Sequence, residues 1–141
     1  MPRHLIISDV HENITALEMA LQKAETLGGF EDIWCLGDVV GHHEYEANRD
    51  DGANYLACLK LLKAQEGVII RGNWEQWLLS QDEKRPVSKS GRKHKTLLEK
   101  RYRQIDEAGL LHYVKNWPLQ KVISNFTREL CFGIMAGQAA E

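Results

Sequence analysis

Four residues able to do chemistry stand in three short runs: Asp9 and His11 in Asp9-Val10-His11, Asp38 in Gly37-Asp38-Val39-Val40-Gly41, and Asn73 in Gly72-Asn73-Trp74-Glu75. Carboxylate oxygen, imidazole nitrogen and amide oxygen are the donors that a pair of divalent cations takes. Two such ions acidify a bridging water and clamp a phosphate, which is what hydrolysis of a phosphate ester needs. At least one carboxylate must reach both ions, and Asp38 is the obvious bridge. Gly37, Gly41 and Gly72 bracket the donors, as close passage of backbone past metal and phosphate requires.

Each run follows a short apolar stretch that reads as a buried strand. These are His4–Ser8 around Leu5-Ile6-Ile7, Asp32–Leu36 around Ile33-Trp34-Cys35-Leu36, and Gly67–Ile70 around Val68-Ile69-Ile70. Between the first two, Ile14, Leu17, Leu21 and Leu27 form a helical stripe, with Asn13 at the N-cap and Gly28-Gly29 as the stop. A second helix is expected over Ala53–Ala64, with Leu56, Leu59 and Leu62 inward. Strand–helix–strand–helix–strand at this spacing predicts an α/β fold with a parallel βαβαβ sheet and flanking helices. In such a sheet the strand C-termini converge on one crevice, where sites form. Gly41–Asp51 reads as a polar loop at that edge, Trp74–Leu79 as a short helix, Glu83–Lys93 as a mobile loop and Thr96–Glu107 as an amphipathic helix. Leu119–Ser124 and Glu129–Phe132 are short strand candidates, joined as a hairpin through Asn125-Phe126-Thr127.

The three blocks in order resemble the calcineurin-like metallophosphoesterases, whose pattern is D-x-H, then G-D-x-x-G, then G-N-H-[DE]. The resemblance implies the first part of that family's β-sandwich and hydrolysis of a phosphomonoester or phosphodiester by a metal-activated water. It implies one or two divalent ions, manganese or else iron, zinc, nickel or magnesium. Asp9 and His11 would belong to the first metal and Asn73 to the second, with Asp38 shared; Asp38 and Asn73 would form the catalytic centre. Leu111 to Leu119 looks like the helix and "LP" segment that precedes the family's second sheet. The segment after Gly41 lacks the D-R-G run of the Ser/Thr phosphatases and diadenosine tetraphosphatases, which argues against those branches.

Trp74 stands where the family has the histidine that protonates the leaving alcohol, and an indole cannot titrate. The family's later ligands lie in V-H-G and G-H-x-H runs. Leu130 to Gly137 holds no histidine, and the chain ends in Gln138-Ala139-Ala140-Glu141. Residues 1–141 are therefore expected to be a single domain lacking the family's C-terminal strands, a truncated or frame-shifted version of a longer relative. Glu12 replaces the glycine usual after D-x-H, a bulky anion that could bind metal or hinder substrate. His42 and His43 lie just past the second block, where at most one would face the site; a solvated loop is the commoner outcome. His94 and His112 read as surface residues and His4 as a packing or edge residue.

The net charge is −2 from 18 basic and 20 acidic side chains, so the whole molecule is no polyanion binder. Lys84–Arg103 nevertheless carries nine Lys or Arg against Glu99 alone. It reads either as a phosphate-steering or nucleic-acid-contacting patch or, more commonly, as a solvated face; nucleic acid is thus possible as a partner but not indicated. Cys35, Cys58 and Cys131 show no C-x-x-C pairing, which fits a reducing, cytoplasmic location. No apolar run approaches the ~18 residues of a membrane span, and Met1-Pro2-Arg3 running straight into the first strand leads to the expectation of no signal peptide. Sheet surface left bare by the absent strands predicts a homo-oligomer. The alternative to an enzyme is an interaction module that kept the fold and lost the chemistry, with Trp74 and Trp77 on a sticky surface.

Overall fold

The structure, a computed structural model, describes residues 2–42, 54–124 and 129–133. Strands β1 (His4–Ile7), β2 (Asp32–Cys35) and β3 (Gly67–Ile69) form a parallel sheet in the order β1-β2-β3. Ile6 lies opposite Trp34, and Cys35 opposite Ile69. The central strand holds the long apolar run: Ile33, Trp34 and Cys35 are buried, as expected of a parallel strand covered on both faces. His4 stacks on Trp34 with ring centroids 4.1 Å apart and bonds Asp32, the edge-packing position expected for it.

Parallel neighbours require crossovers. Helix α1 (Ile14–Thr26) lies between β1 and β2, and α2 (Tyr55–Lys63) between β2 and β3. The side chains of Asn13 and Asn54 cap them, accepting at 2.9 Å from the N–H of Ala16 and Ala57. Each satisfies one of the amides a helix start leaves unpaired.

Helices α3 (Asn73–Glu83), α4 (Lys89–Lys93), α5 (Lys95–Glu107) and α6 (Leu111–Lys115) follow. Of the loop expected over 83–93, the stretch 84–88 is irregular as expected, while 89–93 is helical. Ser88 caps α4 through its hydroxyl on the Gly91 N–H at 3.2 Å. Gly91 lets α4 lie against α3, since a Cβ there would come within 2.7 Å of the Trp77 ring. Polar composition hid this short helix, whose stability comes from tertiary packing rather than from propensity. Helix α5 packs on α3 and α6, and Leu59, Leu62, Leu78, Leu79, Ile105 and Val114 close the core.

Strands β4 (Gln120–Ser124) and β5 (Glu129–Gly133) pair antiparallel in a separate sheet, as expected. The turn Asn125-Phe126-Thr127 lies outside the described residues, as does most of the 41–51 loop. Cys35 and Cys58 are buried free thiols, and burial pushes both up to about 12. Among the described residues no helix is long and apolar enough to cross a membrane.

Candidate metal centre

Pairing continues past the strands into the loops that carry the donors. The N–H of Asp9 donates to the Gly37 carbonyl at 3.1 Å, that of His11 to Asp38 at 2.9 Å, and that of Glu12 to Val39 at 2.8 Å. The third loop meets the second backbone to backbone. A Cβ on Gly37 would sit 2.1 Å from the Gly72 nitrogen, and one on Gly72 would sit 2.1 Å from Asp38 Oδ1, so only glycine fits either place. Asp9, His11, Glu12 and Asp38 all adopt positive φ, between 44° and 65°. Non-glycine residues held there cluster at functional sites, where the surroundings over-determine the backbone.

Ligand atoms of Asp9, His11 and Asp38 lie within 4.8 Å of one another. His11 Nδ1 lies 2.9 Å from the Gly41 carbonyl, which can only accept, so Nδ1 carries the proton and Nε2 keeps its lone pair. That Nε2 lies 3.6 Å from Asp9 Oδ1. Asp38 Oδ1 accepts the Trp74 N–H at 2.9 Å, placing the carboxylate at the positive end of α3. Burial raises the Asp38 carboxyl above its ordinary value; the Trp74 N–H and His11 oppose this, and Asp9 adds to it.

Asn73 joins the group at Asp38. With its amide nitrogen turned inward, it can donate to Oδ2 at 2.8 Å and Oδ1 at 3.2 Å. Neighbouring oxygens around a single cation sit at about the same separation, ~3 Å, so a half-turn of the amide converts Asn73 from donor to ligand. Hard oxygens and one oriented imidazole suit a divalent ion, and the residues fit the group the sequence pattern implies. Asp9 and His11 open onto a trough of about 530 Å³ lined also by Ile6, Ser8, Ala16 and Ala20.

Glu75 fixes how the second and third loops meet. Fully buried, it accepts from Asp38 N and Gly72 N through Oε2, both at 2.8 Å, and from Val39 N at 2.8 Å and Val40 N at 3.1 Å through Oε1. Burial pushes its carboxyl up and the Asp38 charge adds to this, while backbone N–H groups hold it down. Four N–H groups shared between the two oxygens are the partners a carboxylate takes. Sequence reasoning quoted Glu75 but gave it no role; its place three residues after Gly72, where a side chain reaches back to the N-cap amide, was the available signal.

Several expectations need correction. Trp74 is 3 % exposed and is no sticky surface. Its ring sits beside His11 at 5.6 Å between centroids, Trp77 at 5.2 Å and His94 at 4.5 Å. Gly41 admits it, since a Cβ there would lie 2.1 Å from the indole. His94 is buried in this aromatic cluster rather than at the surface, because α4 folds onto α3; His112 is exposed as expected. Glu12 neither binds metal with the triad nor obstructs the trough. It is fully buried and turned inward to Gly41 and Arg101. His42 also turns that way, its Nε2 3.8 Å from Glu12 Oε2; His43 lies outside the described residues. Of the basic run, Arg101 points inward, while Lys89, Arg92, Lys93, Lys95, Lys100 and Arg103 stay exposed on α4 and α5.

A parallel sheet whose loops gather carboxylates, an imidazole and an amide at one edge makes a candidate site for a divalent ion. The chain belongs to the calcineurin-like phosphoesterase family, whose profile matches residues 2–136. An uncharacterized protein of Methanocaldococcus jannaschii, MJ0912, is 31% identical over 77 residues, a stretch covering 55% of this chain and 28% of that protein. The crystal structure of hypothetical protein PH1004 from Pyrococcus horikoshii OT3 superposes with a TM-score of 0.62 at 17% identity, over 93% of this chain and 54% of that one. The chain thus spans about half of its solved neighbour and less than a third of its curated relative.

Proposed function

We propose that this chain is a metal-dependent phosphoesterase that hydrolyses a phosphomonoester or phosphodiester. The observation that carries the reading is the convergence of Asp9, His11 and Asp38 within 4.8 Å, with Asn73 against Asp38, in a family of phosphoesterases. Asp9, His11 and Asp38 would hold one ion, and Asn73 would join Asp38 on a second, weaker one. Once bound, a divalent ion supplies Lewis-acid polarisation of a phosphoryl oxygen and a water acidic enough to attack near neutral pH. The chain's own residues do the positioning: Gly41 fixes the His11 tautomer, and Glu75 locks the second and third loops together.

No proton donor stands at Trp74, and general acid catalysis is typically worth about 10²–10⁴-fold. Esters with good leaving groups are therefore the favoured substrates, and turnover on alkyl esters is slow. Manganese suits the mixed oxygen and nitrogen donors, and buried free thiols suit a reducing cytoplasm. The walled-in Trp74 is also the one observation favouring the alternative, a non-catalytic module of the same fold.

The deciding experiment titrates Mn²⁺ into the chelator-treated protein and then assays p-nitrophenyl phosphate and bis-p-nitrophenyl phosphate. Micromolar binding with Mn²⁺-dependent release of nitrophenol is expected. Binding without turnover on either ester would leave the non-catalytic module, and no binding would refute both the metal site and the enzyme.

A further inference from the structure

One buried ion pair has no counterpart in the family pattern. Glu12 occupies the position where the pattern has glycine, and it keeps the positive φ, 65°, that glycine adopts without strain. Its carboxylate is fully buried, and Arg101, from α5, meets it with a two-pronged grip, Nε to Oε1 at 2.8 Å and Nη2 to Oε2 at 3.0 Å. The guanidinium also lies over the Tyr55 ring, 4.2 Å from its centroid, and is only 12% exposed. Oε1 also accepts from the N–H of Gly41 at 2.8 Å. Gly41 is the residue whose carbonyl takes the His11 Nδ1 proton at 2.9 Å.

We propose that Glu12 and Arg101 are positioning residues for His11: the buried pair anchors Gly41, and Gly41 holds the imidazole with Nε2 turned to the cluster formed with Asp9 and Asp38. The links are contiguous and short, and each has a distinct chemical reason. A carboxylate accepts the Gly41 amide and the Arg101 fork together, which a neutral side chain cannot do. Arginine rather than lysine supplies the planar fork and the flat face against Tyr55. Groups that orient a ligating histidine through its second nitrogen set both its tautomer and its affinity for metal. Here that role falls to a pair 89 residues apart in the chain, joining α5 to the loop after β1. Among the described residues, His42 also faces the carboxylate, its Nε2 3.8 Å from Glu12 Oε2, and one ring nitrogen cannot replace the fork.

The inference rests on the metal-site reading for its consequence but not for its geometry, and two readouts keep them apart. The first is the His11 tautomer in the metal-free, full-length chain, from nitrogen-15 correlation spectra of the imidazoles. The wild type should show His11 protonated on Nδ1. Glu12→Gln and Arg101→Gln should each shift it towards an Nδ1–H and Nε2–H mixture, while the ring spectra of His4 and His112 stay unchanged. The second is Mn²⁺ affinity by calorimetry, which should weaken by roughly 10–100-fold in both variants. A tautomer shift with no Mn²⁺ binding by any form would keep the positioning role and refute the metal reading. Folded variants with the wild-type His11 tautomer would overturn the inference. Where Arg101→Gln does not fold, Arg101→Lys, which keeps the charge but not the fork, carries the test: a smaller shift of the same sign supports the role, and an unchanged His11 overturns it.

Discussion

Glu75→Gln tests the junction between the second and third ligand loops most directly. The carboxylate serves four backbone N–H groups, two on each oxygen. A glutamine amide has one oxygen, so it keeps either the Val39 and Val40 pair or the Asp38 and Gly72 pair. Its NH₂ then faces the two remaining donors. Each buried donor left without a partner costs about 1–3 kcal/mol, giving about 2–6 kcal/mol for the two. Some of this is returned, because burial and the neighbouring Asp38 already disfavour the Glu75 charge, and a net loss of about 2–4 kcal/mol is expected. Against a total stability of about 5–15 kcal/mol that is large but survivable. At a urea slope of ~1–3 kcal/mol per molar the unfolding midpoint should drop by about 1 M or more. The same change frees the Asp38 amide, so Mn²⁺ affinity should fall as well. An unchanged midpoint together with unchanged Mn²⁺ binding would show that something other than Glu75 holds the loops, and the account of the site given above would fail.

Asp38→Ala should abolish Mn²⁺ binding, because it removes the shared carboxylate, whereas Asn73→Ala should weaken only the second site, by about tenfold; calorimetric stoichiometry separates them. Asp38→Asn has a pH signature in the metal-free chain. Burial places the folded Asp38 carboxyl above its ordinary value of 3.8, so the folded state binds that proton more tightly than the unfolded chain. The group's contribution to stability is then intact below that value and lost as pH rises through the folded one. With chelator present, Asp38→Asn should melt higher than wild type at neutral pH, and the gap should close on approaching pH 4; a constant gap would refute the burial argument. Trp74→His should destabilise the chain by roughly 2–4 kcal/mol through the cavity it opens, since the indole is packed on all sides. Where it folds with metal bound, activity should rise on alkyl phosphates and little on aryl ones. Equal gains, or none, would mean that proton donation is not what the site lacks.

The sheet was legible because a parallel strand buried on both faces has to be an apolar run. Each of the three runs ends within three residues of its first candidate metal donor, so reading one pointed to the other. The helix cap at Asn13 belongs to the same class of short-range signal, written within four residues of the amide it satisfies. Asn54 carries the same signal, which a helix expected from Ala53 misses as a cap. Helix α4 was not legible for the opposite reason. Lys89-Ser90-Gly91-Arg92-Lys93 shows no apolar period, and what makes it a helix is the missing Cβ of Gly91 against Trp77, a contact that exists only after α3 has formed. The burial of His94 follows from that docking and was hidden with it.

The site divides along the same line. Asp9, His11, Asp38 and Asn73 are candidates a motif can name, because the chemistry proposed for them fixes both type and spacing, and the first three do cluster. The groups that hold them are tied by bonds across the fold, and nothing near Arg101 in the sequence announces that it closes on Glu12. Read alone, Glu12 looks like an obstruction and Trp74 like a lesion, since each breaks the pattern at a conspicuous place. In the structure both departures are filled from inside. Glu12 finds a buried guanidinium and an amide, and Trp74 packs against rings that include His11, Trp77 of α3 and His94 just after α4. Both substitutions also converge on Gly41, which bonds Glu12 through its N–H and makes room for Trp74 by lacking a Cβ. Substituting Gly41 should therefore disturb His11, Glu12 and Trp74 together. A side chain there meets the indole at 2.1 Å and must displace either the ring or the carbonyl that orients the ligand. Gly41→Ala should accordingly lower stability and Mn²⁺ affinity in parallel, read by urea unfolding and calorimetry on the same samples. Loss of one without the other would show that packing and ligand orientation are separable here, contrary to the geometry that joins them at a single residue.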